Sequence, residues 1–278
     1  MPNIDILVLA IVQGITEFLP VSSSGHLILV PQFYCWPAQS LALQVAAQLG
    51  LLLALVLYFW RDLLNMSQGA YKVLRGKRDG RVRLIGLLLV AAVPVLAAGY
   101  AAEIYLADRL HSPLVVAGAL IGFGALLYVA DKLGLTVRRI EHLSFGSALA
   151  IGIFQCLAII PGASRVGLAM TLGRIMGFER PDAVRFSFLL SIPVIFITGL
   201  YKGWLLFSVG EVAALQNAGL MIALVTIAGF LAIAFLMYWV RRASFTPFVA
   251  YRLALGLFVL YVFYLAAGPD CPAPLIEP

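Results

Sequence analysis

Charge is the scarcest property of this sequence. Only 12% of its 278 residues are charged, whereas about a quarter are charged in soluble globular domains. This shortage excludes an ordinary soluble domain. With 63% hydrophobic residues and a mean hydropathy of +1.01, the composition indicates a protein that crosses a membrane several times.

Cysteines and long polar segments are scarce as well. Cys35, Cys156 and Cys271 are far apart and lack the spacing of metal ligands, so neither a zinc site nor a disulfide framework is expected. The longest polar stretch, a predicted loop around residues 61–83, is too short to fold alone. We therefore predict a single membrane domain over residues 1–278. The first residues lack a basic n-region and a small-residue cleavage site, so we expect no signal peptide to be removed.

Long apolar segments are what the sequence has in abundance. A helix needs about 20 apolar residues to cross roughly 30 Å of hydrocarbon. Five segments meet this requirement without interruption, and a sixth contains Pro193 and Gly199. The sequence therefore predicts an all-α polytopic membrane protein with spans at residues 41–60, 84–102, 112–130, 186–205, 218–240 and about 245–268.

Two further apolar stretches, residues 6–35 and 145–173, are interrupted by polar and helix-breaking residues. The first contains Glu17 and Pro20, followed by three serines, a glycine and a histidine, and the second contains P-G-A-S-R at 161–165. Irregular backbone at membrane depth is tolerated only where it is buried in protein or lines a cavity. Each stretch is therefore predicted to form a re-entrant hairpin made of a broken helix.

These two stretches lie near the beginning of two halves with a similar order of segments, residues 1–140 and 141–278. Aligned at Pro20 and Pro161, each has two apolar residues before the proline and a serine three positions after it. If each half consists of a re-entrant hairpin and three transmembrane helices, the odd number of crossings inverts the second half. The predicted fold is thus two inverted-topology repeats, a plan shared with secondary transporters.

The basic residues support this topology. The net charge is +6, yet the basic residues lie in short loops between apolar spans, which argues against a nucleic-acid partner. In the inverted arrangement fifteen Lys and Arg residues fall on one side, and only Arg109 and Lys202 fall on the other. By the positive-inside rule the fifteen face the cytoplasm, and the first hairpin opens outward. Arg165 and Arg252 lie within apolar segments, and we expect Arg252 to snorkel to the cytoplasmic surface.

Three ionisable residues lie in the interrupted stretches: Glu17, His26 and Arg165. A charge at membrane depth costs at least about 2.5–3.5 kcal/mol, so such a residue marks a candidate functional site. The neighbouring serine hydroxyls, the backbone N–H groups at a half-helix start and the guanidinium are groups that bind phosphate oxygens. The alternative is a buried Glu17–Arg165 ion pair that only holds the hairpins together.

Four sequence strings carry a family resemblance: Q-G-I-T-E-F-L-P-V-S-S-S-G-H at 13–26, F-Q-C-L-A-I-I-P-G-A-S-R at 154–165, F-S-F-L-L-S-I-P at 186–193 and S-F-T-P-F-V-A-Y-R at 244–252. The sequence resembles the bacterial undecaprenyl-diphosphate phosphatase family, also called the bacitracin-resistance protein family. The resemblance implies an enzyme that removes the terminal phosphate of undecaprenyl diphosphate, recycles the lipid carrier for peptidoglycan synthesis and gives bacitracin resistance. It also implies a divalent cation, Mg²⁺ or Ca²⁺, inverted repeats with re-entrant helices, and a site at the outer, periplasmic face of the cytoplasmic (inner) membrane.

The resemblance places three family motifs at Gln13–Glu17, Ser22–His26 and Pro161–Arg165, and the chemistry of phosphate binding and transfer indicates the roles of their residues. Catalytic roles fall on Glu17, Ser23, His26 and Arg165, and Glu17 is also the expected metal ligand. Substrate-binding roles fall on Gln13, Ser22, Ser24, Gly162 and Ser164. Glu17 either holds the ion or deprotonates the nucleophile, and His26 is either the nucleophile or a general base. Family members usually carry Ser and Thr where this chain has Val166 and Ala169, so two hydroxyls are expected to be missing from the site.

Two other functions stay open on the sequence alone. A carrier of polyprenyl phosphate or another anionic lipid would also use inverted repeats with opposed hairpins. A catalytically impaired homologue would follow from the loss of the two hydroxyls. The expected partners are undecaprenyl diphosphate and the lipid bilayer, and Gly118, Gly122 and Gly124 indicate close helix packing and a homodimer face.

Overall fold

The structure is a computed structural model, and it describes residues 3–34, 36, 39–76, 79–105, 112–209 and 217–265. Within these ranges the regular elements are helices, accompanied by one isolated β-bridge between Arg138 and Phe178. The α-helices are α1 Asn3–Phe18, α2 Ser23–Tyr34, α3 Leu41–Tyr58, α4 Trp60–Leu74, α5 Val82–Tyr105, α6 Pro113–Leu133, α7 Phe145–Gln155, α8 Arg165–Ile175, α9 Arg180–Val209, α10 Ala218–Trp239 and α11 Thr246–Leu260. Short 3₁₀ helices at Ile140–His142 and Cys156–Ile159 and a π-helical turn at Tyr261–Leu265 complete them.

Among the described residues, six helices are long and apolar enough to cross a membrane, which confirms the six predicted spans. They are Leu41–Tyr58, Val82–Tyr105, Pro113–Leu133, Arg180–Ser208, Ala218–Trp239 and Thr246–Tyr264. Helix α9 begins six residues earlier than its predicted span and continues through Pro193. Its first turn is anchored by an ion pair between Arg180 and Asp131 of α6 (2.6 Å), which explains why the helix extends into this charged stretch.

Both interrupted stretches form two short helices joined by a turn. Helices α1 and α2 are separated at residues 19–22, and α7 and α8 are separated at 156–164. Ser22 (φ 76°) and Ser164 (φ 69°) adopt the left-handed conformation, which few non-glycine residues adopt. Each hydroxyl then accepts a hydrogen bond from a backbone N–H three residues later, of Gly25 (3.4 Å) and Gly167 (3.1 Å). The left-handed residues of the two turns are thus Ser22 and Ser164, whereas the alignment at the prolines pairs Ser164 with Ser23.

Residues 60–74, predicted as part of a polar loop, form the amphipathic helix α4 instead. Met66 packs against the hydrophobic core, and Gly69 lies against the side chain and backbone at Arg81. Trp60 and Tyr71 remain exposed and stack with the guanidinium groups of neighbouring arginines. The loop prediction was wrong because the polar and charged residues of this segment lowered its hydropathy and concealed the helical spacing of its apolar residues.

Close helix contacts hold the two hairpins inside the bundle. Helix α1 packs on α10 and helix α7 packs on α5. A Cβ atom on Gly14 would lie 2.7 Å from that of Ala228, and one on Gly152 would overlap the carbonyl oxygen of Ala91. These glycines let the first helix of each hairpin approach a spanning helix closely. The turns of both hairpins are thereby held at the centre of the molecule.

Candidate active site

Glu17, Ser23 and Arg165 form one hydrogen-bonded cluster. Arg165 Nη2 donates to Glu17 Oε1 (2.6 Å), and Ser23 Oγ donates to Glu17 Oε2 (2.6 Å). Glu17 lies in the last turn of α1, while Ser23 and Arg165 are the first residues of α2 and α8. The pair of Glu17 and Arg165 therefore joins the two hairpins across 148 residues of sequence.

The turns of the two hairpins also contact each other directly. The N–H of Gly162 donates to Ser24 Oγ (3.2 Å), and a Cβ on Gly25 would lie 3.8 Å from the Cα of Gly162. Gly162 has a φ of 98°, and a Cβ there would lie 2.6 Å from the carbonyl oxygen of Val116. Only glycine fits this conformation and this space without strain.

A cavity of about 610 Å³ opens beside the cluster, which is within the range of about 300–1,000 Å³ common for ligand sites. Its wall contains the side chains of Glu17, Ser23, Ser24, Ser164 and Arg165 at one end. Helices α5 and α9 supply a largely apolar wall. The cavity therefore combines a charged end with an apolar flank, as a lipid with a polar headgroup requires.

The charged end of the cavity has the chemistry of an anion site. Helices α2 and α8 both begin there, and helix N-termini carry partial positive charge and free N–H groups. The Nε–H of Arg165 is buried and has no hydrogen-bond partner among the described residues. Its guanidinium can therefore donate to a phosphate oxygen while it still contacts Glu17. The nearby Gln155 holds the Arg165 backbone, since its Nε2 donates to the Arg165 carbonyl (3.1 Å).

His26 lies in α2 but faces away from this cavity. Its Nδ1 is 2.7 Å from the carbonyl oxygen of Ser22, and its Nε2 is 2.7 Å from the hydroxyl of Tyr251 on α11. Both ring nitrogens are thus engaged by groups of the protein, and His26 is not part of the cavity wall. In this arrangement the ring links the serine turn to α11.

Arg252 occupies the centre of the molecule, which overturns the prediction that it snorkels to the surface. It is 1% exposed, and its Nη2 donates to the carbonyl oxygens of Gly162 (2.9 Å) and Ala163 (3.2 Å). Its Nη1 donates to Pro20 O (3.4 Å) and its Nε to Leu120 O (3.3 Å). The carbonyl groups of the hairpin turns satisfy the guanidinium, so it has no need to reach water. Sequence alone gave no signal for this role because every partner is distant along the chain.

The remaining substrate-binding candidates surround the turns in different ways. The hydroxyls of Ser22 and Ser164 cap α2 and α8, and Ser24 joins the two turns through Gly162. Gln13 is buried, and its side-chain oxygen Oε1 has no partner among the described residues. Gln13 also lies outside the cavity wall.

The two positions at which family members usually carry a hydroxyl, 166 and 169, lie in the protein core. Val166 and Ala169 are each 1% exposed and belong to the main hydrophobic cluster. The hydroxyl of Thr171 donates to the carbonyl oxygen of Gly167 (2.7 Å) and does not line the cavity. A serine at 166 or a threonine at 169 would therefore face the core, and the anion site keeps its own hydroxyls.

Oxygen donors in the cavity wall suit a divalent cation that binds together with a phosphate. Among the described residues no three His, Cys, Asp or Glu side chains gather. At the charged end, the wall contains the carboxylate of Glu17 and the side-chain carbonyl oxygen of Gln155, which is buried without a partner in the described chain. Mg²⁺ is usually held by one or two carboxylates with phosphate and water oxygens completing its shell. These donors therefore fit such an ion.

The sequence did not predict the end of the cavity that lies beside Lys202, called here the outer end. Gln48, Glu103 and Lys202 line the cavity, yet they lie within or at the end of long apolar segments that carry few polar residues. Lys202, within the predicted span at 186–205, was only counted on the side opposite the fifteen basic residues. The available signal was the ionisable residue itself, because a lysine in an apolar helix requires a polar neighbour or water.

Comparisons with known proteins show which family the chain resembles. The family described as bacitracin resistance protein BacA matches residues 6–258. Undecaprenyl-diphosphatase 1 of Rhodospirillum rubrum is 44% identical over 99% of both chains. Undecaprenyl-diphosphatase of Desulforudis audaxviator is 45% identical over 92% of this chain and 96% of its own, and undecaprenyl-diphosphatase 2 of Stutzerimonas stutzeri is 44% identical over 95% and 99%.

Proposed function

The chain belongs to the bacitracin resistance protein BacA family, and from this membership we propose that it hydrolyses undecaprenyl diphosphate to undecaprenyl phosphate and phosphate. The observation that carries the proposal is the cluster of Glu17, Ser23 and Arg165 at the polar end of a cavity with an apolar wall. The reaction recycles the lipid carrier of peptidoglycan synthesis, which accounts for bacitracin resistance as a family property.

In the proposed mechanism the terminal phosphate binds at the start of α2 and α8. Arg165 donates to its equatorial oxygens, since positive charge and positioning dominate phosphoryl transfer. Ser23 Oγ attacks the terminal phosphorus while its proton passes to Glu17, which already accepts its hydrogen bond. The bond to the bridging oxygen breaks, undecaprenyl phosphate leaves with that proton, and Glu17 then accepts a proton from the water that hydrolyses the phosphoserine. The same proton finally returns to Ser23.

We assign His26 a positioning role within this mechanism. The bonds of its ring to the Ser22 carbonyl and to Tyr251 support that role, because they fix the serine turn that precedes Ser23. A divalent cation, Mg²⁺ or Ca²⁺, would be held by Glu17 and the Gln155 carbonyl oxygen together with the phosphates. When bound, it supplies charge neutralisation at the diphosphate.

We also propose two inverted repeats, with the cavity facing the periplasm in the bacterial inner membrane. If the two halves are interchanged, the contact of α1 with α10 corresponds to the contact of α7 with α5, and both contacts are present. The left-handed serines of the two turns, Ser22 and Ser164, support the same symmetry. The excess of basic residues on the other side of the bundle supports the orientation.

A homodimer through α6 is the proposed assembly. Gly118 and Gly122 lie one turn apart on the outer surface with open space around them, and small residues at this spacing permit close helix approach in membranes. Gly124, in contrast, packs against Arg252 inside the protein. Cross-linking in membranes through a cysteine at position 118 tests this interface, and exclusively monomeric protein would contradict it.

The test of the proposed activity is phosphate release from undecaprenyl diphosphate by the purified protein, with and without Mg²⁺ or Ca²⁺. We expect Glu17→Gln to lower kcat by about 10²–10⁴-fold, the usual contribution of acid–base catalysis, and Ser23→Ala to lower kcat at least as much because it removes the nucleophile. Glu141→Gln is the matched control because Glu141 is exposed at a distance from the cavity. Folded native protein that releases no phosphate but moves a polyprenyl phosphate between leaflets would contradict the proposal and support a carrier.

A further inference from the structure

A second cation lies at the end of the cavity that the proposed reaction does not use. Arg165 and Lys202 are the cationic side chains in the cavity wall. Arg165 is paired with Glu17, whereas Lys202 forms no ion pair with any residue that the structure describes. Its Nζ donates one hydrogen bond, to Gln44 Oε1 (2.8 Å). Because an ammonium has three N–H donors, two are left for a ligand.

The positions along α9 separate Lys202 from the reacting end. Ser187 donates to the carbonyl oxygen of Val166 (3.2 Å), next to Arg165, so the reacting end lies toward the start of α9. On this helix the cavity wall runs from Val194 to Lys202, which is eight residues or about 12 Å at 1.5 Å per residue. Lys202 therefore lies at the end of this wall that is farther from the reacting end.

Neutral polar groups surround Lys202 where a phosphate would sit. Gln44 is held in place because its Nε2 donates to the carbonyl oxygen of Gln39 (2.9 Å), and its Oε1 in turn orients the ammonium. Gln48, one turn further along α3, also lines the cavity, and its side-chain amide NH₂ is a hydrogen-bond donor. Thr198 lies one turn before Lys202 and also lines the cavity.

Glu103 is the carboxylate at this end of the described cavity wall. It is exposed and attracts Lys202 electrostatically without an ion pair. Solvent therefore screens the charge of Glu103 more strongly than it screens the charge of the partly buried Lys202. The wall between the two ends is apolar, with Val95 and Leu96 of α5 facing Ile197 of α9.

We propose that Lys202, oriented by Gln44 and flanked by Gln48 and Thr198, forms a second anion site that takes a phosphate group. Two sources carry this chemistry: free orthophosphate, which the reaction releases, and the phosphate of a polyprenyl monophosphate. A role of this site in binding the released product depends on the proposed phosphatase activity. The binding itself depends only on the groups around Lys202.

The test measures binding in purified full-length protein with ³¹P NMR, using orthophosphate in one arm and farnesyl phosphate in detergent in the other. Arg165→Ala removes the inner site, so the phosphate that still binds reports the outer one. In that background we expect Lys202→Gln to weaken binding at least tenfold and Lys202→Arg to retain it within about threefold, since a cation is kept. Lys132→Gln makes the same change on an exposed lysine and should leave binding unchanged.

Each outcome has a defined meaning. Loss on Lys202→Gln in the orthophosphate arm alone assigns the site to the released product, and loss in the farnesyl phosphate arm alone assigns it to the lipid. A folded Arg165→Ala protein that binds neither probe, or binding that Lys202→Gln does not weaken, overturns the proposal. If the native chain releases no phosphate from the diphosphate while Lys202-dependent binding persists, the proposed function fails and the anion site stands.

Discussion

At the scale of single residues, Arg252 fixes the active site without lining it. Its guanidinium donates to carbonyl groups in both hairpin turns, at Pro20 in one and at Gly162 and Ala163 in the other. A buried charge of this kind is tolerated only where hydrogen bonds replace its hydration. By holding the carbonyl sides of the turns, Arg252 leaves the N–H of Gly162 free to contact Ser24.

We expect Arg252→Met to destabilise the protein by about 1–3 kcal/mol, the cost of leaving buried polar groups without partners. The midpoint of thermal unfolding in detergent should fall, and kcat should fall more than KM rises because the turns lose their alignment. Arg241→Met is the control, since Arg241 is exposed beyond the end of α10. An unchanged unfolding midpoint would contradict the proposed role of Arg252.

The pair of His26 and Tyr251 gives a second prediction at this scale. If His26 positions the serine turn, Tyr251→Phe and His26→Asn should both lower kcat by about tenfold or less, since one hydrogen bond contributes roughly 0.5–1.5 kcal/mol. Steady-state kinetics of the two variants and of their double mutant check this. A loss above 10³-fold for His26→Asn, together with rescue by added imidazole, would instead identify His26 as the nucleophile or base.

At the scale of elements, the two hairpin turns depend on backbone conformations as much as on side chains. Gly162 has a positive φ and lies against the carbonyl of Val116. Ser22 and Ser164 adopt a left-handed conformation in which their hydroxyls accept the capping hydrogen bonds. These corners set the first turn of α2 and of α8. The direction of both helix N-termini into the site follows from them.

Gly162→Ala should therefore be severe. A left-handed conformation costs a non-glycine residue about 1–2 kcal/mol, and the new Cβ also meets Val116, so we expect phosphate release to fall by more than tenfold. Gly118→Ala is the matched control because a Cβ there meets nothing within 4 Å inside the protein. Activity of the Gly162→Ala protein close to native would show that the turn does not need this conformation.

The elements themselves were largely predictable, and their long-range contacts were not. Hydropathy located all six spans, and the interrupting residues located both hairpins, because these signals are local. Helix α4 was missed since polar residues separate its apolar ones and lower its hydropathy. The ion pair of Glu17 with Arg165 could be anticipated because both charges lie in the two hairpins. The partners of Arg252 and Lys202 could not be predicted, since they depend on which helices become neighbours after folding.

At the scale of the whole molecule, the bundle has two chemically different ends. Buried ion pairs of Asp131 with Arg174 (3.2 Å) and Arg180 (2.6 Å) join the ends of α6, α8 and α9 on the basic side. Arg185 and Asp62 form a further pair there between α9 and α4. The cavity opens from the opposite half, so the structure is tightly closed at one end and accessible at the other.

Labelling with a membrane-impermeant maleimide checks the proposed orientation. In a variant with Cys35, Cys156 and Cys271 replaced by serine, we expect a cysteine at Glu103 to react in intact cells and one at Arg75 to react only after permeabilisation. Both positions are exposed at helix ends, so differences in burial do not explain the result. Labelling of the Arg75 position in intact cells would place the basic side outside and contradict the proposal.

The hydrogen bonds of Arg252 have a consequence for how the protein is made. Helix α11 is the last of the described spans to leave the ribosome, and it carries a charge that costs about 2.5–3.5 kcal/mol to insert into lipid. The carbonyl groups that receive this charge, at Pro20, Leu120 and Gly162, belong to segments synthesised earlier. Helix α11 therefore enters most favourably against a bundle that has already assembled. Helix α11 thus completes the candidate site late in synthesis, and a nascent chain lacking it leaves both hairpin turns without their common donor.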